Sequence, residues 1–231
     1  MSGPPFAGLN LARNLGDDPD AVEENHLRLA VEVGYPVERL YEVSQVHGSE
    51  LATVDEGVRP ELFRAREADA ILGVTPGQAV GIRVADCVPI LVADPDTRAV
   101  LAIHAGWRGV VAEVVPKAIM LTVQRTGARA HDLLEAIGPH IGPNAFEVGD
   151  EVAHALAQAI PEDPAVVIPG EPRPHVDLWR AVRAQLARVG LSAAHVESVG
   201  GCTYSDAHRF FSFRRDGKDA GRHLAAIVAG C

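Results

Sequence analysis

Apolar positions recur along this chain in short blocks, and the spacing within each block separates helices from strands. Residues 20–33 carry a helical pattern, opened by Asp17-Asp18-Pro19 as cap and first turn and stopped by Gly34, with Pro36 beyond. Asn25 and His26 near its middle read as a solvated polar face. Leu40–Val46 reads as a strand running into His47, and Ala68–Val74 as another, ended by Thr75-Pro76-Gly77. Ala79–Val84 is a short apolar run of strand length. It is interrupted by Ala85-Asp86-Cys87 and resumes at Pro89–Ala93. Asp94-Pro95-Asp96-Thr97 supplies turn residues, and Ala99–His104 follows as a buried strand. From Val110 to Thr126 the spacing of Val111, Val114, Val115, Ile119 and Val123 is helical, with Gly127 as the stop. Pro116 inside that stretch predicts a kink or break near it, because proline lacks the N–H and clashes with the preceding turn.

The second half continues in the same style. Leu133–Ile137 predicts a strand, Gly149–Ile160 a helix, and Trp179–Val189 a helix closed by Gly190. His195–Val199, Phe210–Phe213 and Leu224–Ala229 predict strands. Helices and strands in mixed order, without strict alternation, indicate an α+β fold rather than a doubly wound sheet. No repeat, composition break or linker divides the 231 residues, so a single domain over 1–231 is expected.

Composition narrows the function classes. Hydrophobic residues make up 47% and charged residues 23%, an ordinary globular balance. A formal net charge of −10 argues against nucleic acid or an anionic membrane as a main partner, although local arginines still permit a small anionic substrate. No apolar stretch approaches the ~20 residues of a membrane span. The opening Met1-Ser2-Gly3-Pro4-Pro5-Phe6 lacks a basic region followed by an apolar run, and a cytoplasmic location is expected. The three cysteines, Cys87, Cys202 and Cys231, are odd in number and scattered, which suits a reducing compartment and is no disulfide framework.

Three residues concentrate the chemistry: His47 in Gln45-Val46-His47-Gly48, Cys87 in Ala85-Asp86-Cys87-Val88-Pro89, and His104 in Ile103-His104-Ala105-Gly106-Trp107-Arg108-Gly109. Imidazole and thiolate are ligands that suit zinc, and three of them leave a fourth tetrahedral position open for water or substrate. They lie 40 and 17 residues apart, far from compact zinc-finger spacing, so the alternative is a buried cysteine and two ordinary histidines. Both Cys87 and His104 fall at predicted strand ends, where a rigid sheet can aim a ligand that a loop leaves accessible.

The turn after His104 can receive an anion through Arg108 and the free N–H groups of the following helix; the plainer reading is a tight turn with Trp107 as core. Phe211-Ser212-Phe213-Arg214-Arg215-Asp216, with Arg222 after Gly221, forms a second basic cluster. It can clamp a phosphate or carboxylate, or simply be surface charge. His140, within Gly138-Pro139-His140-Ile141-Gly142-Pro143, reads as a hydrogen-bonded histidine in a rigid loop before it reads as a fourth ligand. Cys202 near His208 is a weak nucleophile candidate, and Cys231 carries no assigned role. The chain has no Walker loop, no His-Glu-x-x-His and no dinucleotide-type glycine loop.

Taken with Ala68-Asp69-Ala70, Phe146-Glu147-Val148-Gly149, Asp177-Leu178 and Cys202-Thr203, these motifs resemble the YfiH-like family. That family was long labelled multicopper polyphenol oxidoreductase, or laccase-domain, and later recognised as purine nucleoside phosphorylases. The resemblance starts at Asn10-Leu11 and Gly16-Asp17-Asp18 and spans essentially the whole chain; His26 departs from it, standing where an arginine is expected. It implies a four-layer α/β/β/α fold with mixed sheets, related to bacterial toxin deamidases that use a Cys-His pair. It also implies one zinc ion on His47, Cys87 and His104, and phosphorolysis of adenosine, inosine, guanosine and methylthioadenosine, with some adenosine deamination. Cys87, His104 and Arg215 are then the expected catalytic residues, and Asn10, Asp86, Arg108 and Arg215 the expected substrate or phosphate contacts. Asp86, beside Cys87, can orient a ligand or handle a proton.

Competing readings remain open at this level. A laccase needs four coppers and many closely paired histidines, and none of the ten here stands in a His-x-His. A single copper could occupy the site adventitiously, since copper outcompetes zinc at most such sites. A metal-free Cys-His pair could instead hydrolyse an amide, editing a cell-wall precursor. A non-catalytic zinc module is disfavoured by the open coordination position.

Overall fold

The computed structural model describes residues 1–230. Helix α1 (Pro19–Val33) starts as expected: the Asp18 carboxylate accepts from Asp20 N, Pro19 takes the first helical position, and Gly34 ends the helix at φ 85°. Strands β1 (Leu40–Tyr41) and β2 (Leu51–Thr53), helix α2 (Pro60–Phe63) and strand β3 (Ala70–Gly73) follow. Next come β4 (Ala79–Val84), β5 (Val88–Ala93) and β6 (Val100–Ala105), then helices α3 (Trp107–Val111) and α4 (Val114–Thr126). Beyond them lie β7 (Leu134–Ile137), α5 (Asp150–Ala159), the short β8 (Val167–Ile168) and β9 (His175–Val176), and α6 (Leu178–Arg188). Strand β10 (Val196–Ser198), helix α7 (Phe213–Asp216) and strand β11 (His223–Val228) complete the order.

The strands form a six-stranded sheet, β10-β7-β5-β6-β3-β2, a three-stranded sheet, β1-β4-β11, and the pair β8-β9. Both larger sheets are mixed: β5 and β6 are antiparallel while β2 and β3 are parallel, and β4 runs parallel to β1 and antiparallel to β11. The two sheets pack face to face through Val80, Ile82 and Val84 on one side and Ile71, Val100 and Ala102 on the other. The opposite face of the large sheet, with Leu72, Ile90, Leu101 and Ile103, packs under α4 and α6 through Val114, Ile119, Val182 and Leu186. Ala30 and Tyr35, from α1 and the turn after it, bury with Leu40 and Ala79 against the small sheet. The four layers are therefore helix, sheet, sheet, helices, as expected. Strand β6 is apolar except for His104 because both of its faces are buried.

Three local expectations are corrected. The strand leading to His47 stops at Tyr41, because the next residue turns its side chain into an ionic cluster. There the buried Glu42 carboxylate receives Arg13 at 2.7 Å, Arg83 at 3.3 Å and Arg64 at 3.7 Å. Phe210–Phe213 is no strand: Ser212 caps the short α7 by accepting from Arg215 N, so the cap residue overrode the aromatic pattern. Asn25 and His26 are not solvated but wholly buried, because the N-terminal segment covers α1. Asn25 Nδ2 donates to Ser2 Oγ and Asn10 O, and His26 Nε2 donates to Leu11 O. The break expected near Pro116 is present: it falls at Glu113 (φ 62°), between α3 and α4, and leaves Pro116 in the first turn of α4.

Among the described residues, no helix is long and apolar enough to cross a membrane. Glu135 on β7 is 3% exposed with neither carboxylate oxygen partnered among the described residues, and burial raises its pKa to about 8. The proton is held more tightly folded than unfolded, so its contribution to stability is full below about 4.5 and is lost as pH rises through 8. Glu135→Gln should remove that slope. Urea unfolding at pH 5, 7 and 9 should show the wild type falling behind the variant by on the order of 2–4 kcal/mol. Identical slopes would contradict the buried, unpaired carboxyl.

Candidate metal centre

His47, Cys87 and His104 converge. One ligand atom from each lies within 4.8 Å of the others, and Cys87 Sγ is 3.9 Å from His47 Nε2. The convergence follows from the way the sheets are joined. The chain leaves β4 in the small sheet and enters β5 in the large one across only Ala85-Asp86-Cys87, so Cys87 sits where the sheets part. Asp86 takes φ 91° to make that crossing. On β6, His104 lies two residues on from Ala102 and four from Val100, both in the inter-sheet core, so it shares their face at the open end of that layer. The register of β5 and β6 sets Val88 opposite Ala105 and Pro89 opposite His104, which brings Cys87 beside Gly106. A Cβ on Gly106 would stand 2.9 Å from Cys87 Sγ and 3.1 Å from His47 Cδ2. Only glycine leaves both ligands their place.

His47 comes from the irregular segment after β1, at φ 59°, and a buried carboxylate holds it there. Asp69 Oδ1 accepts from His47 N at 3.0 Å, and Oδ2 from Gly48 N at 2.6 Å and Val46 N at 3.2 Å. The same Oδ1 accepts from His104 Nδ1 at 2.7 Å, while His104 N donates to Asp69 O. Asp69 thus fixes the His104 imidazole directly and the His47 backbone beside it, and it leaves Nε2 of His104 free, the arrangement usual for a metal-bound histidine. Burial works against the Asp69 carboxylate, but these donors outweigh it and hold its pKa below the ordinary value. The donor set, its spacing and its carboxylate support fit a metal ion with three protein ligands and an open position.

Charge coupling sharpens the pair at the floor. Burial pushes the Cys87 thiol up, yet the two imidazoles outweigh it and its pKa falls. Burial pushes His104 down, yet the Cys87 thiolate and Asp69 raise it.

The three residues line a cavity of about 480 Å³ whose walls include Asp86, Trp107, Arg108, Phe146, Arg214 and Arg222. Asp86 accepts from Thr203 Oγ1 at 2.7 Å and Arg214 N at 2.6 Å, so it is a fixed carboxylate at the site. Arg108 lies 4.3 Å over the Trp107 ring. Its helix, α3, has five residues, too short for the dipole contribution expected of the turn.

Two expected contacts fall elsewhere. Arg215 is absent from the cavity wall: its guanidinium donates to Thr203 O, Tyr204 O and Phe210 O and pairs with Asp216, pinning the 203–210 loop. Asn10 is fully buried behind the wall, bonded to Asp17 and to Arg222 N. His140 stands apart from the metal group, its Nδ1 donating to Gly138 O. Cys87 and Cys202 are free thiols, and Cys231 lies outside the described residues. Sequence reasoning missed the role of Asp69; the signal was an acid inside a run otherwise buried, which must be paired.

An α+β fold of two apposed sheets with a three-ligand centre at their open end defines the class. A family profile described as multi-copper polyphenol oxidoreductase laccase matches residues 1–230, and the chain belongs to that family. It is 36% identical over 230 residues to purine nucleoside phosphorylase YfiH of Escherichia coli, covering 98% of this chain and 88% of that one. It is 34% identical over 229 residues to adenosine deaminase RL5 from an unknown prokaryotic organism, covering 96% and 87%. The crystal structure of YlmD from Geobacillus stearothermophilus superposes with a TM-score of 0.92 at 33% identity, covering 99% of this chain and 87% of that one.

Asp69→Ala and Gly106→Ala should each lower affinity for divalent zinc by about 10- to 100-fold, the first by freeing the His104 ring and the loop that carries His47, the second by crowding Cys87. Competition with a chromophoric chelator measures this directly, and wild-type affinity in both variants would contradict the geometry.

Proposed function

We propose that this protein is a zinc-dependent purine nucleoside phosphorylase that converts a purine nucleoside and phosphate to the free base and ribose 1-phosphate. The single observation that carries the reading is the His47-Cys87-His104 centre, metal-competent and open to a cavity walled by arginines. The phosphorylase names of its relatives support the reaction class, and the mixed nitrogen-sulfur donor set supports zinc. One three-ligand group among the described residues does not supply the several centres of a multicopper oxidase. A bound zinc would supply Lewis-acid polarisation of a substrate oxygen.

The chain's own residues do the rest. Arg108, braced on Trp107, presents a cation at the cavity wall without a carboxylate partner among the described residues. Trp107 and Phe146 offer aromatic faces for a base. A phosphate oxygen forms the bond to C1′ as the C1′–N9 bond breaks. Its electron pair leaves on the base, which then takes up a proton. Asp86, held by Thr203 and Arg214, is placed to orient the sugar or handle that proton. The partners are a purine nucleoside and phosphate, and neither nucleic acid nor membrane is needed.

One observation favours a second reading: Cys87 beside His104, with Asp69 bonded behind the His104 ring, is the arrangement of a nucleophile, a base and an orienting carboxylate. In metal-free protein that set would suit amide hydrolysis. Incubation of the protein as purified with inosine and phosphate separates the two. Base release should rise with phosphate and saturate, with ribose 1-phosphate as co-product, and Cys87→Ala should abolish it. Free ribose as the only sugar product would make the protein a hydrolase. Inertness towards nucleosides, with amide cleavage by chelator-treated protein, would select the cysteine reading.

A further inference from the structure

Four arginines reach the cavity, and their commitments differ. Arg83 is neutralised by Glu42 at 3.3 Å and also donates to Val43 O. Arg214 gives Nη1 to Glu147 O and lies 5.0 Å over the Phe146 ring. Arg108 is exposed at the rim. Arg222 is different: it is half-buried and lies 5.5 Å over the Phe213 ring, and of its N–H groups only Nη1 is hydrogen-bonded, to Ala220 O at 2.5 Å and Gly221 O at 2.9 Å. Its Nε and Nη2 have no partner, and no carboxylate lies within 4.0 Å of the guanidinium, among the described residues. A cation drawn out of water without a counter-ion is costly unless a ligand supplies one.

The mount under Arg222 is rigid. Its N donates to Asn10 Oδ1 at 2.9 Å and its O accepts from Leu11 N at 3.0 Å, so the N-terminal segment clamps both sides of the residue. Asn10 is held in turn by Asp17, to which it donates at 2.7 Å, and by Asn25, which donates to its carbonyl at 2.9 Å. A Cβ on Gly221 would meet the Phe211 ring at 2.8 Å, so glycine there lets the chain cross that ring closely.

We propose that Arg222 grips the phosphate co-substrate through its Nε–Nη2 edge, and that Asn10 is the positioning residue that aims it. This rests on the phosphorolysis reading above. The Nε–Nη2 edge is a two-donor fork whose spacing matches two oxygens of a tetrahedral oxyanion. It reassigns the basic cluster: the ligand contact is Arg222, and Arg215, tied by five hydrogen bonds to loop carbonyls and Asp216, is scaffold. Asn10 reaches the reaction only through the backbone of Arg222.

Calorimetric titration of zinc-loaded protein with inorganic phosphate tests this apart from turnover. The wild type should bind one phosphate per chain. Arg222→Gln should weaken binding by about 30- to 100-fold, and Arg222→Lys, which keeps charge but loses the fork, by about 10-fold. Asn10→Ala should raise the KM for phosphate severalfold while leaving the KM for inosine and the zinc content unchanged, a split that general loosening would not produce. Undiminished phosphate affinity in a folded Arg222→Gln, or no phosphate binding by the wild type, would overturn the assignment. Binding that depends on Arg222 without base release from inosine would sustain it and defeat the phosphorolysis reading alone.

Discussion

A single buried carboxylate organises the centre of this protein. Asp69 is wholly inaccessible to solvent and carries four donors on its two oxygens, three from the backbone at 46–48 and one from His104. An unpaired carboxylate at that depth would be strongly unfavourable, so the loop carrying His47 must close over it for the fold to form there. Closing that loop is also what brings the imidazole of His47 to Cys87. Folding and ligand assembly are the same event at this residue, and removing the carboxylate frees both histidines at once.

The second constraint is topological. Successive strands β4 and β5 belong to different sheets, and only three residues join them. So short a passage cannot bury itself between the sheets; it lies at their open end with Cys87 in it. The facing strand β6 ends there too, with His104 on its inter-sheet face and Gly106 just beyond, where any side chain would displace the thiolate. The cavity is therefore a product of where the sheets diverge, and its walls come from segments that cap that end: the N-terminal stretch, the loop before α5, and the turn containing Arg214 and Arg222.

Much of this was legible in the chain. Gly34, Gly127 and Gly190 end helices where they were expected to, and the run 79–104 resolves into three strands with the interruption at Cys87 in place. Those signals are local, set by backbone permissiveness and hydrophobic period. Apart from the Ser212 cap that turned Phe210–Phe213 away from a strand, the failures are tertiary. Asn25 and His26 look solvated in their own helix and are buried because a segment 15 residues away supplies their partners. Arg215 looks like a free cation beside aromatic residues, yet its donors are consumed by carbonyls of a loop whose course no spacing rule reveals. Arg222, quieter in sequence, lines the cavity with Nε and Nη2 unpartnered among the described residues. The ligand triad lies between these extremes: its residue types announce a metal, while its convergence depends on the sheet crossover and on Asp69.

X-ray absorption at the zinc edge, on protein purified without added metal, tests the central claim most directly. The account predicts one zinc per chain with two imidazole nitrogens at about 2.0 Å, one thiolate sulfur at about 2.3 Å and one further light scatterer in the open position. A zinc shell without sulfur, or a copper edge with more than one metal per chain, would contradict it.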